Sequence, residues 1–114
     1  GMNDLMRPAM YDSHHDIVPV RAPAPGAATI DYDVVGPICE SSDTFAKRRT
    51  LPPVAAGDLV VLATAGAYGA TMAGTYNARA LVPEVLVDDG RFAVVRRRVS
   101  VEEQLGWETS PVWA

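Results

Sequence analysis

Glu84-Val85-Leu86-Val87-Asp88-Asp89-Gly90-Arg91-Phe92-Ala93-Val94-Val95-Arg96 is the stretch whose reading decides the fold class. Two runs of β-branched and apolar residues flank Asp-Asp-Gly, and such a turn supplies the positive φ that a tight hairpin needs. The segment predicts a β-hairpin. Working outward, Thr29-Ile30-Asp31-Tyr32-Asp33-Val34-Val35 alternates as a half-buried strand should. Gly57-Asp58 is a turn signal, and Leu59-Val60-Val61-Leu62-Ala63 reads as a compact buried strand. Residues 18–28 hold too many prolines for a helix or a central strand. They are expected to run extended along a surface, or to form an edge strand followed by a loop. Residues 41–50 read as a polar loop, with Asp43 placed to cap a short turn at Thr44-Phe45-Ala46. Helical signals are few. Residues 4–13 are expected to form a short helix with Pro8 in its first turn. Ser100 and Glu103 are spaced as a capping box over a last helical turn. Short strands punctuated by glycine and proline argue for a mainly β barrel or sandwich with one short N-terminal helix.

At 114 residues the chain is one domain, with enough apolar residues for a core of its own. Its longest apolar runs fall short of the ~18 residues that suggest a membrane span, so no membrane is expected. No signal peptide is expected either. The formal net charge of −4 argues against a general nucleic-acid surface, and Arg96-Arg97-Arg98 and Lys47-Arg48-Arg49 read as solvated strand or loop edges. A single cysteine excludes an internal disulfide and fits a reducing compartment, so the cytoplasm is expected.

Chemistry concentrates in Val35-Gly36-Pro37-Ile38-Cys39-Glu40-Ser41-Ser42-Asp43. By type alone, a lone cysteine after an apolar run is a buried small hydrophobe. Here Pro37 imposes an extended path and the following residues are polar, which places the thiol at a strand exit. A thiol beside a carboxylate suits a proton donor better than a nucleophile. No histidine is near in sequence, and the His14-His15 pair has poor metal-ligand spacing and reads as solvated. Arg7 and Tyr11 stand four apart, so on a helix they share one face and reach one ligand group. Tyr68 lies between Gly66 and Gly69, where the backbone can turn sharply towards a ligand; the alternative is an aromatic plug in a hairpin turn.

Taken in order, Arg7-Pro8-Ala9-Met10-Tyr11, Gly36-Pro37-Ile38-Cys39-Glu40-Ser41 with Asp43, Gly57-Asp58, Gly66-Ala67-Tyr68-Gly69, Tyr76-Asn77 with Arg79, and Glu84-Val85-Leu86-Val87 resemble the C-terminal β-domain of the diaminopimelate decarboxylases. These are pyridoxal-phosphate enzymes of the alanine-racemase-like fold type. The resemblance implies a Greek-key-like β-barrel or sandwich at residues 15–114. It also implies a connecting helix within residues 1–14, behind Gly1-Met2, which reads as a tag scar. It implies that Cys39 protonates the substrate α-carbon in a partner subunit's site and that Glu40 binds the distal ammonium. Arg7 and Tyr11 would hold the distal carboxylate, and Tyr68 would approach the cofactor phosphate and the substrate. The implied partners are a pyridoxal-phosphate-binding (β/α)8 barrel domain, a second subunit of a homodimer and a small amino-acid substrate. Residues 70–75 are plainer than the family's serines and asparagine. Lys47, the sole lysine, lies in a polar stretch, so no cofactor is expected on the isolated chain. Two other readings are a stand-alone β-domain for interaction or dimerisation, and the same domain from a decarboxylase of another amino acid.

Overall fold

The computed structural model describes residues 1–113. Six strands pair as three antiparallel ribbons: β1 (Ile17–Pro19) with β4 (Val60–Leu62), β2 (Ile30–Val35) with β3 (Thr44–Leu51), and β5 (Glu84–Asp88) with β6 (Arg91–Arg96). Helices α1 (Arg7–Tyr11), α2 (Gly66–Met72) and α3 (Val101–Leu105) are short. The chain is therefore mainly sheet with few helices, as expected. Among the described residues no ladder joins the three ribbons into a closed barrel. The radius of gyration is 17.3 Å, against about 13 Å for a compact domain of this length. The chain is spread out.

The hairpin at the end forms as its residues dictate. Asp89 and Gly90 take positive φ (45° and 75°), the pairing Asp88↔Arg91 closes the turn, and the cross-strand Glu84–Arg96 ion pair sits at 2.9 Å. The Ser100 capping box on α3 is also present, with both reciprocal hydrogen bonds made. Pro8 enters α1 in its first turn, where its missing N–H costs nothing.

Four expectations are corrected. Residues 44–51 form a strand, β3, and not a loop with an Asp43-capped turn. Its polar side chains lie on a ribbon with little cover, so no apolar alternation announced it, and the ladder to β2 supplies the order. The backbone N–H of Arg48, at φ 48°, donates to Asp33 Oδ1 at 2.8 Å, within a ladder whose register shifts between Tyr32 and Val34. Second, β4 is largely exposed: its single partner β1 is three residues long, and of the pair Ile17 alone reaches the core. Third, Tyr68 lies inside helix α2, not in a sharp turn. Gly69 is buried there, and a Cβ on it would make only an ordinary contact with Leu5 Cδ1 at 4.0 Å. Fourth, His15 is buried while His14 is exposed, so the pair is not uniformly solvated.

The core is small: Met2, Leu5, Ile17, Ile38 and Leu51, with Asn3, His15 and Asp43 as buried polar residues. Met2, read as part of a scar, packs into this core, and its backbone N–H donates to Asp43 Oδ1 at 2.7 Å. Trp107 and Trp113 are exposed, while Ala114 lies outside the described residues. Among the described residues no helix is long and apolar enough to cross a membrane.

Candidate functional site

Two clusters hold the residues singled out by the sequence. The first is the loop between β2 and β3. The backbone folds back on itself through Glu40 N–H to Ile38 O (2.8 Å) and Asp43 N–H to Glu40 O (3.0 Å), and Gly36 N–H to Asp43 O (2.9 Å) closes its base. Ile38 points into the core, so the next residue, Cys39, is left exposed as a free thiol. Glu40 is exposed beside it. Its Oε1 accepts from Ser42 N–H at 3.2 Å and from the Ser41 hydroxyl at 3.3 Å. The Ser42 amide and then the Ser41 hydroxyl hold the Glu40 carboxyl below the usual carboxylate range, so it stays anionic. An exposed thiol and a fixed anion therefore leave the same tip.

The second cluster joins α1 and α2. The Arg7 guanidinium carbon lies 5.3 Å from the centre of the Tyr68 ring, within cation–π range. Among the described residues no carboxylate pairs with Arg7. Tyr68 is 55 % exposed and Tyr11 60 % exposed, so both phenols are open to a ligand. A cleft of about 330 Å³ is lined by Arg7, Ser13, His14, His15, Ala67 and Tyr68, with Thr64 at its edge. A guanidinium at a cleft, with no carboxylate partner among the described residues, has the geometry and charge to receive a carboxylate.

Sequence reasoning missed the two residues that brace these clusters. His15 Nδ1 lies 3.0 Å from Ala63 O; a carbonyl only accepts, so this nitrogen carries the proton. The bond ties the end of α1 to the residue preceding Thr64 and the α2 entry, while Arg49 Nη1 donates to His15 O at 2.9 Å. Nothing in a His-His dipeptide distinguishes the buried ring from the exposed one. Asp43 was read as a turn cap, but it is 3 % exposed and its carboxylate accepts from two backbone amides, Met2 N–H and Ile38 N–H, each at 2.7 Å. A signal did exist there: a glycine seven residues before an aspartate, with no Cβ to obstruct the returning carboxylate. Tyr76 and Arg79 are exposed, and the Arg79 carbonyl accepts from Gln104 Nε2 at 3.1 Å, which ties this segment to α3. Asn77 adopts φ 60°, a conformation asparagine tolerates. Among the described residues no group of three or more His, Cys, Asp and Glu could hold a metal ion.

This geometry has close relatives. The sequence profile of the family described as "Pyridoxal-dependent decarboxylase, C-terminal sheet domain" matches residues 1–66. Diaminopimelate decarboxylase of Zymomonas mobilis subsp. mobilis is 47% identical over 113 residues, covering 99% of this chain and 26% of the relative. That of Escherichia coli K12 is 48% identical over 118 residues, covering 95% and 28%. Among solved structures, diaminopimelate decarboxylase from Helicobacter pylori complexed with L-lysine superposes with a TM-score of 0.85 at 38% identity, covering 94% of this chain and 26% of that one. The chain thus spans about a quarter of the length of the curated relatives it matches. With its sheet-rich fold, its residues 1–66 and its near-complete alignment to these relatives, the chain belongs to the pyridoxal-dependent decarboxylases, as their C-terminal sheet domain.

Proposed function

We propose that this chain is the substrate-binding and proton-donating part of a diaminopimelate decarboxylase, acting on meso-2,6-diaminopimelate to give L-lysine and carbon dioxide. The observation that carries the reading is the loop tip, where an exposed Cys39 thiol stands next to a Glu40 carboxylate held anionic by Ser42 and Ser41. Glu40 binds the distal ammonium of the substrate. Arg7, beside the Tyr68 ring and without a carboxylate partner among the described residues, takes the distal carboxylate together with Tyr11. When the bond from Cα to the departing carboxylate breaks, the Cys39 S–H, reaching into the partner subunit's site, supplies the proton that Cα needs, and solvent returns a proton to the thiolate.

Pyridoxal phosphate, when bound, supplies the electron sink for that bond cleavage. The residues of this chain fit one edge of its site: the Tyr68 phenol is an exposed donor suited to a phosphate oxygen. Lys47, the sole lysine, is exposed on β3 beside Arg48, so the lysine that holds the cofactor belongs to the (β/α)8 barrel domain outside this chain. Residues 1–14 lead from that barrel and residues 15–114 form the β-domain. The barrel and the second subunit of a homodimer cover the exposed ribbons, among them Phe92, 76 % exposed. A free, unbridged cysteine as proton donor suits an enzyme of the cytoplasm.

The test is Cys39→Ala in the complete protein, followed by carbon dioxide release from meso-diaminopimelate. Turnover should fall about 10²- to 10⁴-fold, the usual worth of a general acid, with Tm near that of the unmutated protein. Normal turnover would remove the proton-donor role. Release of carbon dioxide from lysine or ornithine, but not from diaminopimelate, by the unmutated protein would move the reading to another amino-acid decarboxylase.

A further inference from the structure

The least expected group in the chain is a buried carboxylate with no cation. Asp43 is 3 % exposed, and among the described residues no arginine, lysine or histidine pairs with it. Burying a carboxylate is costly unless hydrogen bonds replace its water. Here two backbone amides do so, both at the 2.7 Å of charge-assisted bonds. They come from segments far apart in sequence. Ile38 N–H belongs to the peptide just before Cys39-Glu40, and Met2 N–H belongs to the segment that leads into α1 and Arg7. Ser42 Oγ adds a weaker contact to Met2 Sδ at 3.9 Å. At Gly36 any Cβ would overlap the Asp43 carboxylate, so the loop base has space for this one arrangement.

We infer that Asp43 is a positioning residue: its carboxylate locks the tip that presents Cys39 and Glu40, and fastens that tip to the segment carrying Arg7. One side chain then fixes how the tip that carries the proton donor and the ammonium ligand into the partner subunit's site stands on the segment that carries this subunit's own Arg7. An apolar side chain here would leave the buried Met2 and Ile38 amides without an acceptor. A carboxylate instead fixes the direction of two specific N–H bonds. Displacement of a reacting group by about 1 Å costs on the order of 100-fold in rate. Asp43's role depends on the reading of Cys39 and Glu40 proposed above, and the experiment separates the two.

In the complete protein, Asp43→Asn keeps the volume but turns an N–H group towards an amide that needs an acceptor. Its kcat, per folded and cofactor-loaded site, should fall about 10- to 100-fold. KM for diaminopimelate should rise several-fold, since Glu40 moves with Cys39. Values of kcat and KM within twofold of the unmutated protein, with only Tm lowered, would overturn the assignment and leave Asp43 a stability residue. The lock is also measurable without any variant, by hydrogen exchange in the unmutated protein. The Met2 and Ile38 amides should exchange on the order of 100-fold more slowly than the exposed Ser41 amide; comparable rates would overturn the lock. An unmutated protein that releases no carbon dioxide from diaminopimelate would overturn the functional reading, while the exchange pattern would still decide whether Asp43 locks the loop.

Discussion

Met2, Leu5, Ile17, Ile38 and Leu51, the buried large apolar side chains, all lie in the first half of the chain, whereas Val85, Leu86, Val87, Phe92, Val94 and Val95 of the β5–β6 ribbon are all exposed. The two regions are held by different forces. Around the Cys39 loop, α1 packs near β3, two buried amides grip Asp43, and His15 clasps Ala63 across 48 positions. From residue 84 onward most bonds are local: a turn with positive φ, a Glu84–Arg96 pair, an Asp88–Arg91 pair at 2.6 Å and the Ser100 capping box, with Gln104 to the Arg79 carbonyl and the Leu81–Val99 bridge reaching back only as far as residues 79–81. A two-stranded hairpin is marginal alone in water. The first region therefore carries its own core, whereas the apolar side chains of the second lie open. The family profile also matches the first region, residues 1–66.

The largest expected effect is in the first region. Ile38→Ala removes a core anchor directly beside Cys39 and should cost about 2–5 kcal/mol in urea unfolding of the isolated chain. A smaller loss would mean that the core does not hold the loop. In the second region, Ser100→Ala removes a cap and should cost about 1 kcal/mol, read as faster hydrogen exchange confined to α3. The partner residue of that cap is Glu103, whose carboxyl is brought down to about 2 by Arg97 and then by the Ser100 amide. Because its folded value lies below 4.5, its share of the cap is complete above pH 4.5 and is lost as the pH falls towards about 2. The smallest effect sharpens the contrast most. Phe92→Ala should change the stability of the isolated chain by no more than about 0.5 kcal/mol, yet should cost several-fold more in the complete protein under the proposal that the barrel or a second subunit covers the ribbon. Equal costs in both contexts would mean that the ribbon borrows no core.

Much of the second region was legible in sequence because its order is local. Val-Leu-Val, Asp-Asp-Gly and Phe-Ala-Val-Val specify a hairpin without reference to anything distant, and Ser100 with Glu103 specifies a cap within four residues. Strand β2 was legible for the same reason. β3 was not: Lys47-Arg48-Arg49 carries no alternation, and it is a strand only because β2 offers a ladder. Helix α2 was hidden by its glycines, Gly66 and Gly69, which read as turn residues. Of the site residues, Arg7 and Tyr11 were placed on one helix by spacing alone, and the structure adds what spacing cannot, the approach of Arg7 to the Tyr68 ring.

The sequence by itself determined the residue types available for chemistry: one thiol beside one carboxylate, an arginine and a tyrosine four apart, and one lysine. It also determined the hairpin and the cap, whose energies depend on neighbours within a few residues. Tertiary structure alone decided which histidine is buried, that Asp43 faces inward instead of capping a turn, and that α2 brings Tyr68 over Arg7. Each of these turns on a contact across tens of residues, and such contacts form only when burial and hydrogen bonding together repay the entropy of bringing distant segments into place.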